Sequence, residues 1–153
     1  MKLPPELAGH RGVVLDTNFW IYFFDDDPLR GAWCEALLNE VVQGHFSAVV
    51  TPVTLAELSV APMRRQRLDV VQEYRRVFAS LPHISVAHLT ATTGWAAGGL
   101  RAQYNLPLPD AMQLAAALLQ HEPTLLTNDK DLVRVKEVRV LLLDDLRRRS
   151  CGT

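Results

Sequence analysis

The chain has 153 residues, of which 48% are hydrophobic and 22% charged, and its formal net charge is −1. These values suit one compact globular domain and argue against a disordered chain or a strongly basic nucleic-acid coat protein. The two cysteines form no CxxC pair, no apolar run approaches the length of a membrane span, and the first residues lack a signal-peptide core, so we expect a cytoplasmic protein without a zinc site, disulfides or a membrane anchor.

Short apolar runs alternate along the chain with longer amphipathic stretches, a pattern typical of βα units around a parallel sheet. The apolar runs predict strands, in chain order, at Val13–Leu15, Ser47–Val50, Ile84–Val86, Thr124–Leu126 and Val138–Leu143. The amphipathic stretches predict helices at 19–24, 29–43, 52–61, 64–80, 89–104 and 109–120. We expect one domain over residues 1–153, with loosely ordered ends at 1–12 and 147–153.

Four acidic residues occupy equivalent positions in this pattern. Asp16 and Asp129 each follow an apolar strand, and Asp110 is the second residue of a helix that Pro109 begins. In a parallel sheet the ends of the strands and the starts of the helices share one edge, so these acids should meet there. Glu57 lies in the first two turns of a helix, among apolar residues, where a buried carboxylate would need a cation or a donor. Each aspartate alone could be a helix cap, but together the four are better explained as one site.

A cluster of carboxylates has a characteristic chemistry. Several carboxylates close together repel one another, and one or two divalent cations would remove that repulsion. Oxygen ligands without any soft ligand nearby suit Mg²⁺ or Mn²⁺ rather than zinc. Such an ion polarises a phosphoryl oxygen and lowers the pKa of bound water. The cluster is therefore a candidate hydrolytic centre.

Four segments carry these acids, namely VVLDTNFWIYFF (13–24), TPVTLAEL (51–58), LPLPDAMQLAAALL (106–119) and TLLTNDKDLVRV (124–135). In this order and at this spacing they resemble the PIN-domain nucleases, most closely the VapC-like toxins of toxin–antitoxin pairs. The resemblance implies a three-layer α/β/α fold with a central parallel sheet, and usually a homodimer. The family's four acids fall on Asp16, Glu57, Asp110 and Asp129.

The resemblance also suggests supporting residues. Thr127 matches the small polar residue of the last motif, and Thr17 and Asn18 would orient the first carboxylate and nearby water. Asp131 competes with Asp129 for the fourth acidic position, although Asp129 matches better. The segment 60–105 has no recognisable motif, but its arginines are candidates for contacts with the RNA backbone: Arg64, Arg65, Arg67, Arg75 and Arg76.

The resulting hypothesis is a metal-dependent endoribonuclease, the toxin of a toxin–antitoxin pair, bound in the cell by a small antitoxin protein. Hydrolysis by an activated water does not use the ribose 2′-OH, so the products would carry 5′-phosphate and 3′-OH ends. The class of RNA and the number of metal ions stay open at this stage.

Two other functions are weighed against this hypothesis. The first is a PIN-like interaction module without nuclease activity, which could use the aromatic residues of 19–24 as a contact surface. For most of those aromatic residues we favour a core role in an amphipathic helix. The second is a phosphatase of the haloacid-dehalogenase type, which needs a second aspartate two positions after the first. Asn18 stands at that position instead, so this function ranks low.

Overall fold

A computed structural model of the chain describes residues 2–151. Its strands are, in chain order, β1 (Val13–Leu15), β2 (Ala48–Val50), β3 (Ile84–Val86), β4 (Thr124–Thr127) and β5 (Arg139–Leu142). They form one sheet in the spatial order β3-β2-β1-β4-β5, and every neighbouring pair is parallel. The predicted α/β fold with a central parallel sheet is therefore confirmed.

Helices connect the strands. The α-helices are α1 (Thr17–Phe24), α2 (Gly31–Val42), α3 (Pro52–Arg64), α4 (Leu68–Ser80), α5 (Ala91–Tyr104), α6 (Leu108–Leu118) and α7 (Leu143–Cys151). A short 3₁₀ helix, Lys130–Arg134, follows β4. None of the helices in the described residues is both long and apolar enough to cross a bilayer.

Two separate cores give the fold its three layers. Val13 and Leu15 of β1 face one core, together with buried side chains of α1, α2 and α7. Val14, between them, faces the other core, together with α5 and α6. Successive side chains of a strand point to opposite faces, so the central strands must be apolar at every position. This requirement explains the unbroken apolar runs in the sequence.

The order of the strands places a crevice beside β1. From β1 the chain continues to β2 and β3 on one side, and later returns to β4 and β5 on the other side. In open parallel sheets ligands bind at such a reversal of strand order, beyond the carboxyl ends of the strands. Asp16 follows β1 and Asp129 follows β4, so both lie at this edge.

The prediction that a helix ends before Pro62 is wrong. α3 continues to Arg64 and contains Pro62 in its last turn, where the side chain is buried. A proline there removes only one hydrogen bond of the helix, and its burial offsets that loss. Gln66, with φ of +57°, lies just after α3, so residues 65–67 connect the two helices and α4 begins at Leu68 rather than at 64.

Both ends of the chain pack more closely than predicted. Leu7 is fully buried in the first core, although residues 1–12 were expected to be loosely ordered. α7 covers residues 147–151 of the other expected loose end, while residues 152 and 153 lie outside the described part. Glu6 and Arg149 join the two ends through an ion pair of 2.6 Å. The ends were predicted to be loosely ordered because they are mostly polar, but Leu7 packs into the first core.

Candidate active site

Asp16 is the most enclosed acid of the chain's predicted site. It caps α1 directly after β1 and is only 8% exposed. Its Oδ1 accepts hydrogen bonds from the Thr17 N–H at 2.7 Å and from Gln113 Nε2 at 3.2 Å. Its Oδ2 accepts from Thr127 Oγ1 at 2.6 Å and from Asn18 Nδ2 at 3.3 Å. Four donors therefore hold this carboxylate in one orientation.

These donors do not fully compensate for the burial of Asp16. Burial raises the pKa of Asp16 above its ordinary value, and the nearby negative charge of Asp129 raises it further. Hydrogen bonds from Thr127, Thr17 and Gln113 act in the opposite direction, yet the net direction is upward. The ionised form of Asp16 is therefore disfavoured, and a bound cation would stabilise it.

Asp110 is influenced electrostatically by the three other predicted acids. It is the third residue of α6 rather than the second, because the helix begins at Leu108, and it is half-buried. Burial raises the pKa of Asp110 to about 6, with further contributions from the negative charges of Asp16, Asp129 and Glu57. The charges of all three other acids therefore act on Asp110.

Asp129, rather than Asp131, belongs to this group. Asp129 is half-buried, and its charge acts on both Asp16 and Asp110. Its backbone N–H donates to Thr127 Oγ1 at 3.1 Å. Its carboxylate also caps the 3₁₀ helix by accepting the N–H of Asp131 at 2.9 Å, so the capping role and a place in the cluster coexist. Asp131 itself is exposed.

The prediction that Glu57 is a buried carboxylate is wrong. The buried side of α3 consists of Thr54, Leu58 and Pro62, spaced four residues apart, which leaves Glu57 exposed beside it. Its carboxyl group nevertheless points toward the cluster, where Thr17 Oγ1 donates to Glu57 Oε1 at 3.3 Å. Partial burial of the carboxyl group raises its pKa, and the charge of Asp16 adds to this effect. Glu57 therefore joins the cluster from its solvent side.

The predicted supporting residues lie between these acids. Asn18 Nδ2 donates to Thr127 Oγ1 at 3.0 Å as well as to Asp16. Asn18 Oδ1 is buried and has no hydrogen-bond partner within residues 2–151. A buried acceptor without a donor is costly, and a cation or a water would satisfy it.

Sequence reasoning missed two buried polar residues in contact with the cluster. Gln113 is 1% exposed and donates to Asp16, and Thr54 is fully buried and contacts Thr17 at 3.0 Å. Gln113 could have been found from its position, because it is polar inside an otherwise apolar helix and follows Asp110 by three residues.

The residues present fit a hard divalent cation. The cluster offers carboxylate oxygens and the unsatisfied Asn18 Oδ1, which are the donors that Mg²⁺ and Mn²⁺ prefer. Within the described residues, no three Asp, Glu, His or Cys side chains are gathered at metal-binding geometry as they stand.

Comparison with known proteins identifies the family. The sequence matches the model of the PIN domain over residues 13–138, which is most of the chain. The chain belongs to the PIN domain family. No curated protein matches the full sequence.

Solved structures share the fold of this PIN domain. It is similar to a chain of VapBC2 from Rickettsia felis, which was solved bound to a DNA fragment from its promoter. The TM-score is 0.69 and the identity 18%, over 86% of this chain and 98% of that chain. It is also similar to a chain of a toxin–antitoxin complex from Klebsiella pneumoniae, with a TM-score of 0.64 and 23% identity over 86% and 97%. At these identities the likeness establishes the architecture.

The predicted RNA-contacting arginines of the PIN domain fall into different environments. Arg65 and Arg67 line a cleft of about 370 Å³ together with Glu57. Arg67 is paired with Asp69, whereas Arg65 makes no salt bridge within the described residues. The other three are Arg64, exposed at the end of α3, Arg76, paired with Glu73, and Arg75, which borders an apolar groove.

The aromatic residues of 19–24 serve mainly as core. Phe19 and Trp20 are fully buried in the first core of the PIN domain. Tyr22, Phe23 and Phe24 are half-buried and pack against it. The core interpretation is thus confirmed for the two residues that are fully buried.

Replacing Asp110 with Asn should stabilise the metal-free protein above pH 6, since the change removes a charge that the site disfavours. The pKa of Asp110 rises from an ordinary 3.8 to about 6 on folding, so its ionisation weakens the fold as pH increases through that window. Solvent screens the charge of this half-exposed carboxyl group, so we expect a melting temperature only about 2–4 °C higher at neutral pH, equivalent to about 1 kcal/mol, measured in EDTA. The gain should disappear below about pH 4.

The exposed Asp131→Asn serves as the control, because it removes one negative charge from the same edge of the sheet. It should leave the melting temperature unchanged across the pH range. A gain for Asp110→Asn that persists in acid, or the absence of any gain, would contradict a pKa of Asp110 raised by burial and by the neighbouring acids.

Proposed function

We propose that this PIN domain is a metal-dependent endoribonuclease and the toxin of a toxin–antitoxin pair. Asp16, Glu57, Asp110 and Asp129 would hold one or two Mg²⁺ or Mn²⁺ ions and hydrolyse RNA phosphodiester bonds to 5′-phosphate and 3′-OH ends. The observation that carries the proposal is the position of the buried Asp16 and of Asp129 at the reversal of strand order, where burial and the charges of the other acids raise the pKa of Asp110 to about 6. Perturbed carboxyl groups in a crevice are typical of catalytic sites.

Each acid would have a role that depends on its surroundings. A divalent ion bound there supplies polarisation of the phosphoryl oxygen and a lower pKa for water. Four hydrogen-bond donors fix the orientation of Asp16, which would be a well-ordered ligand for that ion. The carboxylate of Asp110 makes no hydrogen bond within residues 2–151, so its oxygens are available to the ion, whose charge would offset the burial and the neighbouring negative charges that raise the pKa of Asp110.

The RNA strand would reach the acids along the cleft beside Glu57. Arg65 borders this cleft and has no ion-pair partner in the described part of the chain, so its guanidinium is available for a phosphate oxygen. Guanidinium groups bind phosphate through paired hydrogen bonds. Among the five predicted arginines, Arg65 is therefore the strongest candidate for a backbone contact.

A small antitoxin would occupy an apolar groove next to the site. The groove lies between α3 and α4, encloses about 490 Å³, and is lined by Leu55, Met63, Tyr74, Phe78 and Val86 among others. The similar structure from Klebsiella pneumoniae is a toxin–antitoxin complex, which supports a protein partner of that kind. Apolar grooves can accept the apolar face of an amphipathic helix. The family resemblance also supports a homodimer.

Replacing Asp110 with Ala should abolish the cleavage of RNA in the presence of Mn²⁺ or Mg²⁺ while the fold remains intact. Asp129→Ala should have the same effect, whereas Asp131→Ala, which changes an exposed acid two positions away, should retain activity. The assay is cleavage of a labelled RNA, with the chemistry of the new ends determined and circular dichroism as the check on folding.

Activity of the Asp110→Ala protein equal to that of the wild type, or full activity in excess EDTA, would contradict the proposed mechanism. A wild-type protein that binds a partner but never cleaves RNA would favour the interaction module instead. Loss of activity in Asp131→Ala but not in Asp129→Ala would reassign the fourth acid.

Replacing Met63 with Glu should prevent relief of toxicity by the antitoxin without reducing RNA cleavage. Met63 lines the groove and is 49% exposed, so a charge there blocks an apolar partner at little cost to the fold. Leu119, 48% exposed beyond the end of α6, gives the matched control Leu119→Glu. The test is growth after co-expression with a candidate antitoxin that relieves the toxicity of the wild type, and equal relief of both variants would exclude the groove as the docking site.

A further inference from the structure

Gln113 is a buried side chain that contacts several parts of the site at once. It lies in α6, is 1% exposed, and donates from Nε2 to Thr54 Oγ1 at 2.6 Å. The same nitrogen lies 3.2 Å from Asp16 Oδ1 and 3.4 Å from Thr17 Oγ1. Its Oε1 accepts from Thr51 Oγ1 at 2.6 Å. One amide thus connects α6 with the ends of β1 and β2 and with the first turn of α3.

The orientation of this amide follows from the chemistry of its neighbours. An ionised carboxylate can only accept hydrogen bonds, so the atom of Gln113 that faces Asp16 must be the NH₂ group. Thr51 Oγ1 already accepts the backbone N–H of Thr54 at 3.2 Å, and its own hydrogen is directed to Gln113 Oε1. A reversed amide would place two oxygens 3.2 Å apart at Asp16, where they would repel each other.

The hydroxyl groups beyond Gln113 also have a defined direction. Glu57 is an acceptor, so the single hydroxyl hydrogen of Thr17 is used for the 3.3 Å contact with it. Thr17 therefore accepts in its 3.0 Å contact with Thr54, and Thr54 is the donor. Thr54 in turn accepts from Gln113 at 2.6 Å. The hydrogen bonds therefore form a chain in which Gln113 donates to Thr54, Thr54 donates to Thr17, and Thr17 donates to Glu57.

We propose that Gln113 is a positioning residue that fixes Asp16 and Glu57 relative to each other. It acts on Asp16 directly, and on Glu57 through the hydroxyls of Thr54 and Thr17. The inference rests on the proposed function, in which the two acids hold the metal ion together. The two carboxylates belong to different elements and carry like charges that favour separation, and a shared source of donors opposes that separation.

A purely structural role for Gln113 gives a different result. If the amide only links α6 to α3, its replacement lowers stability but leaves metal binding and the chemical step intact in the folded protein. If it positions the acids, the same replacement weakens metal binding and slows cleavage even where the protein is fully folded. Groups that orient metal ligands typically alter affinity or activity by about 10- to 100-fold.

Gln113→Met tests the proposal, because methionine has similar length and no donor. Gln120→Met is the matched control: Gln120 lies just beyond α6, far from the acids, and donates to the Ala116 carbonyl at 3.1 Å. We expect Gln113→Met to weaken Mn²⁺ binding, measured by calorimetry, by about 10- to 100-fold. kcat for an RNA oligonucleotide should fall by a similar factor with KM unchanged, and Gln120→Met should behave like the wild type.

Thr54→Val provides a second test that does not depend on the folding of Gln113→Met. It removes one link of the path to Glu57 and leaves the contact of Gln113 with Asp16 in place. Its effect on Mn²⁺ affinity should shrink to less than about twofold in a Glu57→Gln background, because coupled residues do not act additively. Additive effects of the two changes would contradict the path.

The outcomes separate the inference from the function on which it rests. Wild-type binding of Mn²⁺ and cleavage of RNA, together with the same affinity and kcat in Gln113→Met, would overturn the positioning role alone. A wild-type protein that neither binds Mn²⁺ nor cleaves RNA would overturn both.

Discussion

The burial of the Asp16 carboxylate at the end of the central strand is the constraint on which the site depends. Each hydrogen bond to a charged group contributes about 1.5–3 kcal/mol, and Asp16 receives four of them. Burial still raises its pKa, so desolvation outweighs these donors. The surrounding polar residues make the charge tolerable without neutralising it. A cation bound at this edge of the sheet would therefore stabilise the ionised carboxylate of Asp16.

Much of this arrangement could be predicted from the sequence. Strands that are buried on both faces are largely apolar, so β1 and β2 appear as unbroken apolar runs and β4 as two leucines between buried threonines. The residues directly after β1 and β4 then share one edge, which located Asp16 and Asp129. Asp110 was located by the start of α6, although the helix begins one residue earlier than expected.

Other features depend on packing between distant segments and could not be predicted. The exposure of Glu57 follows from which side of α3 meets the core, and Thr54 and Leu58 occupy that side. Pro62 stays within α3 because its burial offsets one lost hydrogen bond. Gln113 is polar in an apolar helix, which is a visible signal, but its partners lie 59 to 97 residues away in the chain.

We propose that Asp16, Asp110 and Asp129, with Glu57 beside them, form one cation site. Anomalous scattering from crystals soaked in Mn²⁺ is the most direct test, because it locates the ion independently of any activity. We expect an anomalous peak within coordination distance of the carboxylates of Asp16, Asp110 and Asp129. A protein that shows no peak there at saturating Mn²⁺, or shows its strongest peak elsewhere, would contradict it.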